Sequence, residues 1–369
     1  MRVALVHDWL TGMRGGERAL EVLCELFPSA RLFTLLHVPG SVSPVIERLD
    51  PQTSFIQRLP LSGRLYRYYL PLFPRAIEQF DLDGFDLVVS TSHCAAKSVV
   101  TRAPTRHLCY CFTPMRYAWD QFERYFGAGR IGWLPSQAAK VAMDRLARWD
   151  AATAGRANRY VAISRYVASR IRRYYNREAV VVYPPVDTDF FHPDGRPPDR
   201  HLLIVSALVP YKRIDVAIEA ARLVNVPLRI VGDGPERERL AAGAGPGVEF
   251  LGRRSDAEIR DLYRTAAAVI LPGEEDFGIV PLEAQACGRP VVALARGGAL
   301  ETVVPGETGL LVDDDSPPSM AEGIREALTR SFDPAVIRAH ALRFGRGRFA
   351  AEIKAVIDET MAAEGAARW

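Results

Sequence analysis

The stretch "EEDFGIVPLEAQACGRPVV", residues 274–292, sets two acids, Glu275 and Glu283, eight positions apart around Gly278 and a short apolar run. It follows "AAVILPG", residues 267–273, which reads as a buried strand. "EEDF" then reads as a loop, with a helix starting near Gly278 and continuing to Gly288. Pro281 suits the first turn, where its missing donor costs nothing. The N–H groups of Ile279 and Val280 are left free to hold a phosphate, aided by the helix dipole. A carboxylate accepts well from two adjacent hydroxyls, and a sugar nucleotide has a ribose diol on one side of its diphosphate and a hexose on the other. The spacing therefore suggests one glutamate for each sugar. Two acids flanking a helix N-terminus for electrostatic stability would look the same in isolation.

Working outward, short apolar strands alternate with helical or loop segments along most of the chain. "MRVALVHDW", "FDLVVSTS", "RHLCYCF" and "RYVAIS" precede residue 200; "HLLIVSAL", "PLRIVGDG", "VEFLG" and "RPVVAL" follow it. This alternation predicts an α/β protein with parallel sheets wound by helices. A chain of 369 residues is too long for one core, and about 150 residues per domain gives two. The proline-rich "YPPVDTDFFHPDGRPPDRH" is the candidate linker. The expected division is a first domain over 1–183, a linker over 184–200, a second domain over 201–344 and a C-terminal helix over 345–369 that returns to the first domain.

Two further loops follow predicted strands, where parallel sheets bind ligands. "GMRGGER", residues 12–18, offers close backbone approach at Gly15 and Gly16 ahead of a helix beginning near Glu17. Neither G-x-G-x-x-G nor a G-x-x-x-x-G-K-[ST] run is present, so nicotinamide and P-loop chemistry lose support. "SALVPYKRID", residues 206–215, supplies Lys212 and Arg213, adjacent cations able to neutralise a diphosphate.

The net charge of +3 hides an asymmetry. Residues 1–185 carry 25 Lys and Arg against 15 Asp and Glu; the remainder carries 22 against 29. An anionic partner for the first half follows, such as a phosphorylated substrate or a lipid surface, but no nucleic-acid motif is present and no nucleic acid is expected. The five cysteines are odd in number and lack a C-x-x-C, which argues against a disulfide framework or a zinc site. No apolar run approaches the length of a spanning helix and no signal-peptide pattern opens the chain, so the expected location is the cytoplasm.

The stretch "RLPLSGRLYRYYLPLFPRAI", residues 58–77, interleaves four arginines with tyrosine, leucine and phenylalanine and contains no acid. That composition suits the headgroup layer of a membrane, and peripheral contact with its cytoplasmic face is expected; a core helix with basic edges is the alternative.

As a set, "EDFGIVPLE", "GGER", "YVAISRYVASRI", "VVYPPVD", "SALVPYKRID", "VGDGPERERL" and "GETGLLV" resemble the retaining glycosyltransferases of family 4 over nearly the whole chain. That resemblance implies the GT-B fold, two Rossmann-like domains facing across a cleft. It further implies a nucleotide-sugar donor held mainly by the second domain, an acceptor held mainly by the first, and neither metal nor other cofactor. By position, Glu275 would contact the donor hexose, Glu283 the ribose, and Lys212 with Arg213 the diphosphate. Phe277, Gly278, Ile279 and Val280 would line the phosphate site, Gly15 and Gly16 would close over it, and Gly252 and Arg253 would lie near the base.

"TPMRYAWDQF" resembles a subgroup associated with mannosyl transfer in surface-polysaccharide synthesis. It implies a hexosyltransferase using GDP-mannose and a lipid-linked or oligosaccharide acceptor, with Arg116 joining Lys212 and Glu275 as catalytic candidates. Ala207 stands where many relatives have Arg, and Phe112 where many have His. His93 and His107 are the remaining candidates for a polar role in the first domain. A GT-B-shaped nucleotide-sugar epimerase and a non-catalytic nucleotide-sugar-binding subunit are the alternatives.

Overall fold

A computed structural model describes residues 1–363. The chain divides into two compact units, residues 1–185 together with the segment from 349 onward, and residues 186–348. The first unit is built on a seven-stranded parallel sheet of β1 (Val3–His7), β2 (Arg31–Thr34), β3 (Gln52–Thr53), β4 (Leu87–Ser92), β5 (Arg106–Cys111), β6 (Arg159–Ala162) and β7 (Ala179–Val181), in the order β3-β2-β1-β4-β5-β6-β7. The second has six parallel strands, β8 (Leu202–Val205), β9 (Leu228–Val231), β10 (Val248–Gly252), β11 (Ala268–Leu271), β12 (Val291–Leu294) and β13 (Gly309–Val312), in the order β10-β9-β8-β11-β12-β13.

The apolar runs become central strands because helices cover both sheet faces, so every residue of β1, β4, β11 and β12 is buried. In each unit the strand order reverses once, between β1 and β4 and between β8 and β11. In such sheets the crevice beyond the carboxyl ends at the reversal is where ligands bind.

Four strands, β2, β3, β7 and β13, were not separately predicted. β3 has two residues and β7 three, too short for an alternation pattern to register. Within the proline-rich stretch expected as a linker, Phe191 is buried on the second unit with its ring 5.8 Å from that of Tyr263, while residues 193–200 are exposed. The final helix runs Arg346–Ala362. Its Phe349 ring stands 5.5 Å from Tyr110, and Glu359 meets Arg159 at 2.8 Å. Residues 364–369, the end of the expected C-terminal segment, lie outside the described residues. No helix among the described residues is long and apolar enough to cross a membrane.

Candidate functional site

In the second unit the loops after β8 and β11 flank the reversal point, and they meet there. Lys212 closes a short turn after β8, and its ammonium pairs with the Glu275 carboxylate in the loop after β11. Both side chains keep some exposure, 15% for Lys212 and 20% for Glu275. The contact depends on backbone proximity, since a Cβ at Gly273 would fall 2.8 Å from Lys212 Cα. Behind this pair a small hollow is lined by Ser206, Lys212, Ile214, Gly273, Glu275 and Val280. The loop itself is pinned from the other side. The Gly298 N–H donates to the Glu275 carbonyl at 2.8 Å, and no side chain fits at Gly297 or Gly298 against Glu275 and Phe277.

The helix of the opening stretch runs Ile279–Ala286, shorter than the expected Gly278 to Gly288. Gly278 is its N-cap with φ +91°, a conformation that L side chains rarely adopt, which turns the chain sharply into the helix. Ile279 and Val280 thus occupy the first turn, whose N–H groups have no intrahelical partner. Phe277 is buried, with its ring 6.0 Å from Phe344, so it supports the loop from beneath. Glu283 is half-buried and accepts a hydrogen bond from the Tyr263 hydroxyl at 3.0 Å. Burial and the adjacent Glu283 push the Tyr263 hydroxyl well above the usual tyrosine pKa, so it stays a proton donor.

Arg213 has φ +50° and pairs with Asp315, with Asp215 at 3.5 Å. The acidic run 313–315 therefore holds one of the two candidate cations. The Ser316 hydroxyl and then its N–H, at 2.8 Å, hydrogen-bond to Asp314 and keep its carboxyl below the usual range. Gly252 ends β10 with φ +69°, and Arg253 beyond it is 85% exposed, 3.9 Å from Asp233.

In the first unit, helix Gly15–Leu26 starts two residues before the expected Glu17, with Gly15 and Gly16 in its first turn. Glu17 folds back to accept the Arg14 N–H at 3.0 Å, so this N-terminus already holds a carboxylate. Glu17 also lies 3.6 Å from His7 Nε2. Burial alone would raise the Glu17 carboxyl, but the neighbouring His7 brings it below its ordinary value.

The sequence reading assigned no role to His7, which ends β1 at its reversal-point end, or to Asp8, which follows it. Asp8 is fully buried and accepts four backbone N–H groups, from His93 (2.6 Å), Cys94 (2.9 Å), Ala95 (2.6 Å) and Ala96 (2.7 Å). His93 Nδ1 stands 3.1 Å from the same carboxylate. Burial lowers the His93 imidazole below the usual histidine pKa despite the opposing charge of Asp8.

Phe112 packs beside two imidazoles, its ring 6.3 Å from both His7 and His93, which are 6.4 Å from each other, and in contact range of any Cβ added at Gly16. His107 is a core residue of β5, bonded to Ser90 Oγ at 2.8 Å. Arg116 opens the short helix Arg116–Trp119 beyond the end of β5. All five cysteines are free and buried. Among the described residues no group of three or more His, Cys, Asp or Glu side chains could hold a metal ion. A wider hollow lined by Arg159, Asn176, Arg177 and Ala179 sits at the amino ends of β6 and β7, the end of a parallel sheet that ligands do not use.

Two Rossmann-like units with charged loops at their reversal points define the GT-B class of fold. Residues 13–190 match the family model described as Glycosyltransferase Family 4, and residues 187–342 that described as Glycosyl transferases group 1. A D-inositol 3-phosphate glycosyltransferase from Mycobacterium sp. (strain KMS) is 30% identical over 310 residues, 71% of this chain and 68% of that protein. An uncharacterized glycosyltransferase from Methanocaldococcus jannaschii is 28% identical over 177 residues, 46% of this chain and 50% of its own length, so the chain spans about half of that relative. The solved structure of Anabaena HepE in complex with UDP-glucose superposes with a TM-score of 0.72 at 19% identity, covering 97% of this chain and 100% of its own; that likeness concerns the fold. The chain belongs to glycosyltransferase family 4.

Proposed function

We propose that this protein transfers a hexose from a nucleotide-sugar donor, with retention at the anomeric carbon, to a lipid-linked or glycan acceptor. The observation that carries this reading is the Lys212–Glu275 pair at the reversal point of the second sheet, beside the open first turn at Gly278. Without ligand the two charges neutralise each other. A diphosphate would take Lys212 as its counter-ion and release Glu275 toward the hexose, while Ile279 and Val280 offer backbone donors to the phosphate. Arg213, Gly252 and Arg253 would bound the donor, and Glu283, oriented by the Tyr263 hydroxyl, would accept the ribose diol. Gly15, Gly16 and Arg116 are the contributions assigned to the first unit. No metal enters this reading, because Lys212 and the backbone groups neutralise the diphosphate.

In the step itself the bond from the anomeric carbon to the phosphate oxygen breaks, and a bond to the acceptor oxygen forms on the same face. The acceptor proton passes to the leaving diphosphate oxygen. Lys212 contributes most where charge grows on that oxygen.

The donor proposed first is GDP-mannose, supported by the likeness of "TPMRYAWDQF" to the mannosyl-transferring subgroup. The Anabaena neighbour holds UDP-glucose, so the test has both arms. Thermal-shift measurements with GDP-mannose, UDP-glucose and ADP-glucose should raise the melting temperature with one donor well above the others, since stabilisation follows occupancy of the folded state. Equal, negligible shifts with all three would sink the donor site. The acceptor side includes contact with the cytoplasmic face of a membrane through residues 58–77.

A second reading is motivated by Phe112, which puts an apolar ring against two imidazoles. A non-catalytic nucleotide-sugar-binding subunit would show the same thermal shift but no turnover on any acceptor extract. An epimerase would isomerise the donor sugar in the absence of acceptor.

A further inference from the structure

Two helical segments of the first unit are apolar on both sides. In residues 61–77, Tyr66, Leu70 and Phe73 are buried, while Leu61, Leu65, Tyr68 and Leu72 point outward at intervals of four, three and four, with Tyr68 81% and Leu61 66% exposed. In helix Trp133–Ala152, Ser136, Met143, Leu146 and Asp150 form the buried stripe. The opposite stripe starts with Leu134 at 71% exposure and continues through Ala138 to Val141 at 55%, with Trp133 beside it at 67%.

A water-facing helix of a globular protein normally turns charged residues outward, and single exposed leucines need no explanation. Two outward apolar stripes do. Both segments root in one core cluster, which contains Tyr66, Leu70, Met143 and Leu146. Trp149 of the longer helix also donates to Glu78 at 3.0 Å, just after the first segment.

Charge selects the occupant. Arg58, Arg64, Arg67 and Arg75 are all exposed, and none pairs with a carboxylate among the described residues. Arg145 and Arg148 continue the outward stripe of the longer helix. A second copy of this chain would place these arginines against each other, whereas an anionic lipid surface would neutralise them as the apolar stripes enter the headgroup layer.

We propose that Trp133, Leu134 and Val141, together with Leu61, Tyr68 and their flanking arginines, form one two-part docking surface for an anionic bilayer. This deepens the lipid-linked acceptor reading above by adding the 133–152 helix. Trp133 suits the role of interface anchor, with an apolar body and one polar N–H.

The test is flotation of the full chain with vesicles of phosphatidylglycerol mixed with phosphatidylcholine, and with phosphatidylcholine alone. The full chain should float with the first and stay behind with the second. Leu134→Ser with Val141→Ser, and separately Arg64→Gln with Arg67→Gln, should each weaken retention by about tenfold or more without lowering the melting temperature.

Absence of flotation with the anionic vesicles overturns the proposal. Retention undiminished in either double variant removes that stripe and overturns the two-part surface. A concentration-dependent dimer in sedimentation, abolished by Leu134→Ser with Val141→Ser, would assign the face to a second copy instead. Failure of the functional reading is read separately: wild-type protein that floats but transfers no sugar to either a lipid-linked or a water-soluble glycan acceptor would sink that reading and leave this surface standing.

Discussion

The two units have the same sheet logic and opposite ways of handling charge at the strand ends. In the second unit the charged groups are paired but part-exposed, as in Lys212–Glu275 and Arg213–Asp315, so an incoming anion can replace one partner. In the first unit two buried charged groups, Asp8 and Lys97, are held by fixed partners. Asp8 has four backbone donors, and Lys97 is held by Asp150 at 3.0 Å with the Tyr175 ring 4.6 Å away. Paired surface charges exchange at little cost, whereas buried ones lock a backbone. The difference puts exchangeable charge in the second unit and fixed, buried charge in the first.

The sharpest way to break that contrast is Lys97→Met. It leaves Asp150 buried beside the Trp119 and Tyr175 donors with its cation gone, and should cost about 3–5 kcal/mol of stability by denaturant titration. Adding Asp150→Leu should recover part of that loss, because the uncompensated charge is removed. A loss of under about 1 kcal/mol in the single variant would show that the pair is not a frame element.

Next in size is Lys212→Ala, which should lower kcat about 100-fold or more while the melting temperature stays close to wild type. Glu275→Gln should lower transfer similarly. A change of only a few-fold in either would move the chemistry away from this pair.

The smallest effect concerns pH. Burial pushes His93, His201 and His340 below the usual histidine pKa, against the charge of Asp8 at His93 and helped by Arg229 at His201 and Arg343 at His340. Their contribution is complete above about pH 6.5 and falls as pH drops through the folded values, because the unfolded chain then binds protons the folded one refuses. Glu17 has the same sign in a lower window: its stabilisation holds above its ordinary value and is lost as acid protonates it. Denaturation midpoints should therefore fall from about pH 7.5 to about pH 5.5, by no more than about 1.4 kcal/mol per pH unit for each proton. Replacing His340 with Gln should flatten that slope; a pH-independent midpoint would show these imidazoles are not linked to folding.

Much of the candidate site in the second unit was legible because it is local. Glu275, Gly278 and Glu283 sit in one strand–loop–helix stretch, where periodicity and turn chemistry fix their places. Lys212 was legible for the same reason, since it follows a buried strand. The partners were not. Asp315 lies 102 positions from Arg213, and nothing in "DDD" marks which acid meets which cation. Tyr263 reads as one more apolar helix residue until its hydroxyl is seen at Glu283. His7 and Asp8 carried an unused signal: they end and follow a strand at the edge where ligands of parallel sheets are expected.

By itself, the sequence determined the two α/β units, the loops that end the second unit's strands, and the basic and aromatic character of residues 58–77. Those properties are set within a few residues of chain, by strand-length apolar runs, glycine turns and uncompensated arginines. Tertiary structure alone decided which charges pair, that Glu17 occupies the N-terminus of the first helix, and that Trp133, Leu134 and Val141 face outward. Each of those depends on which helix face the core takes, and that choice is made by contacts between residues far apart in the chain.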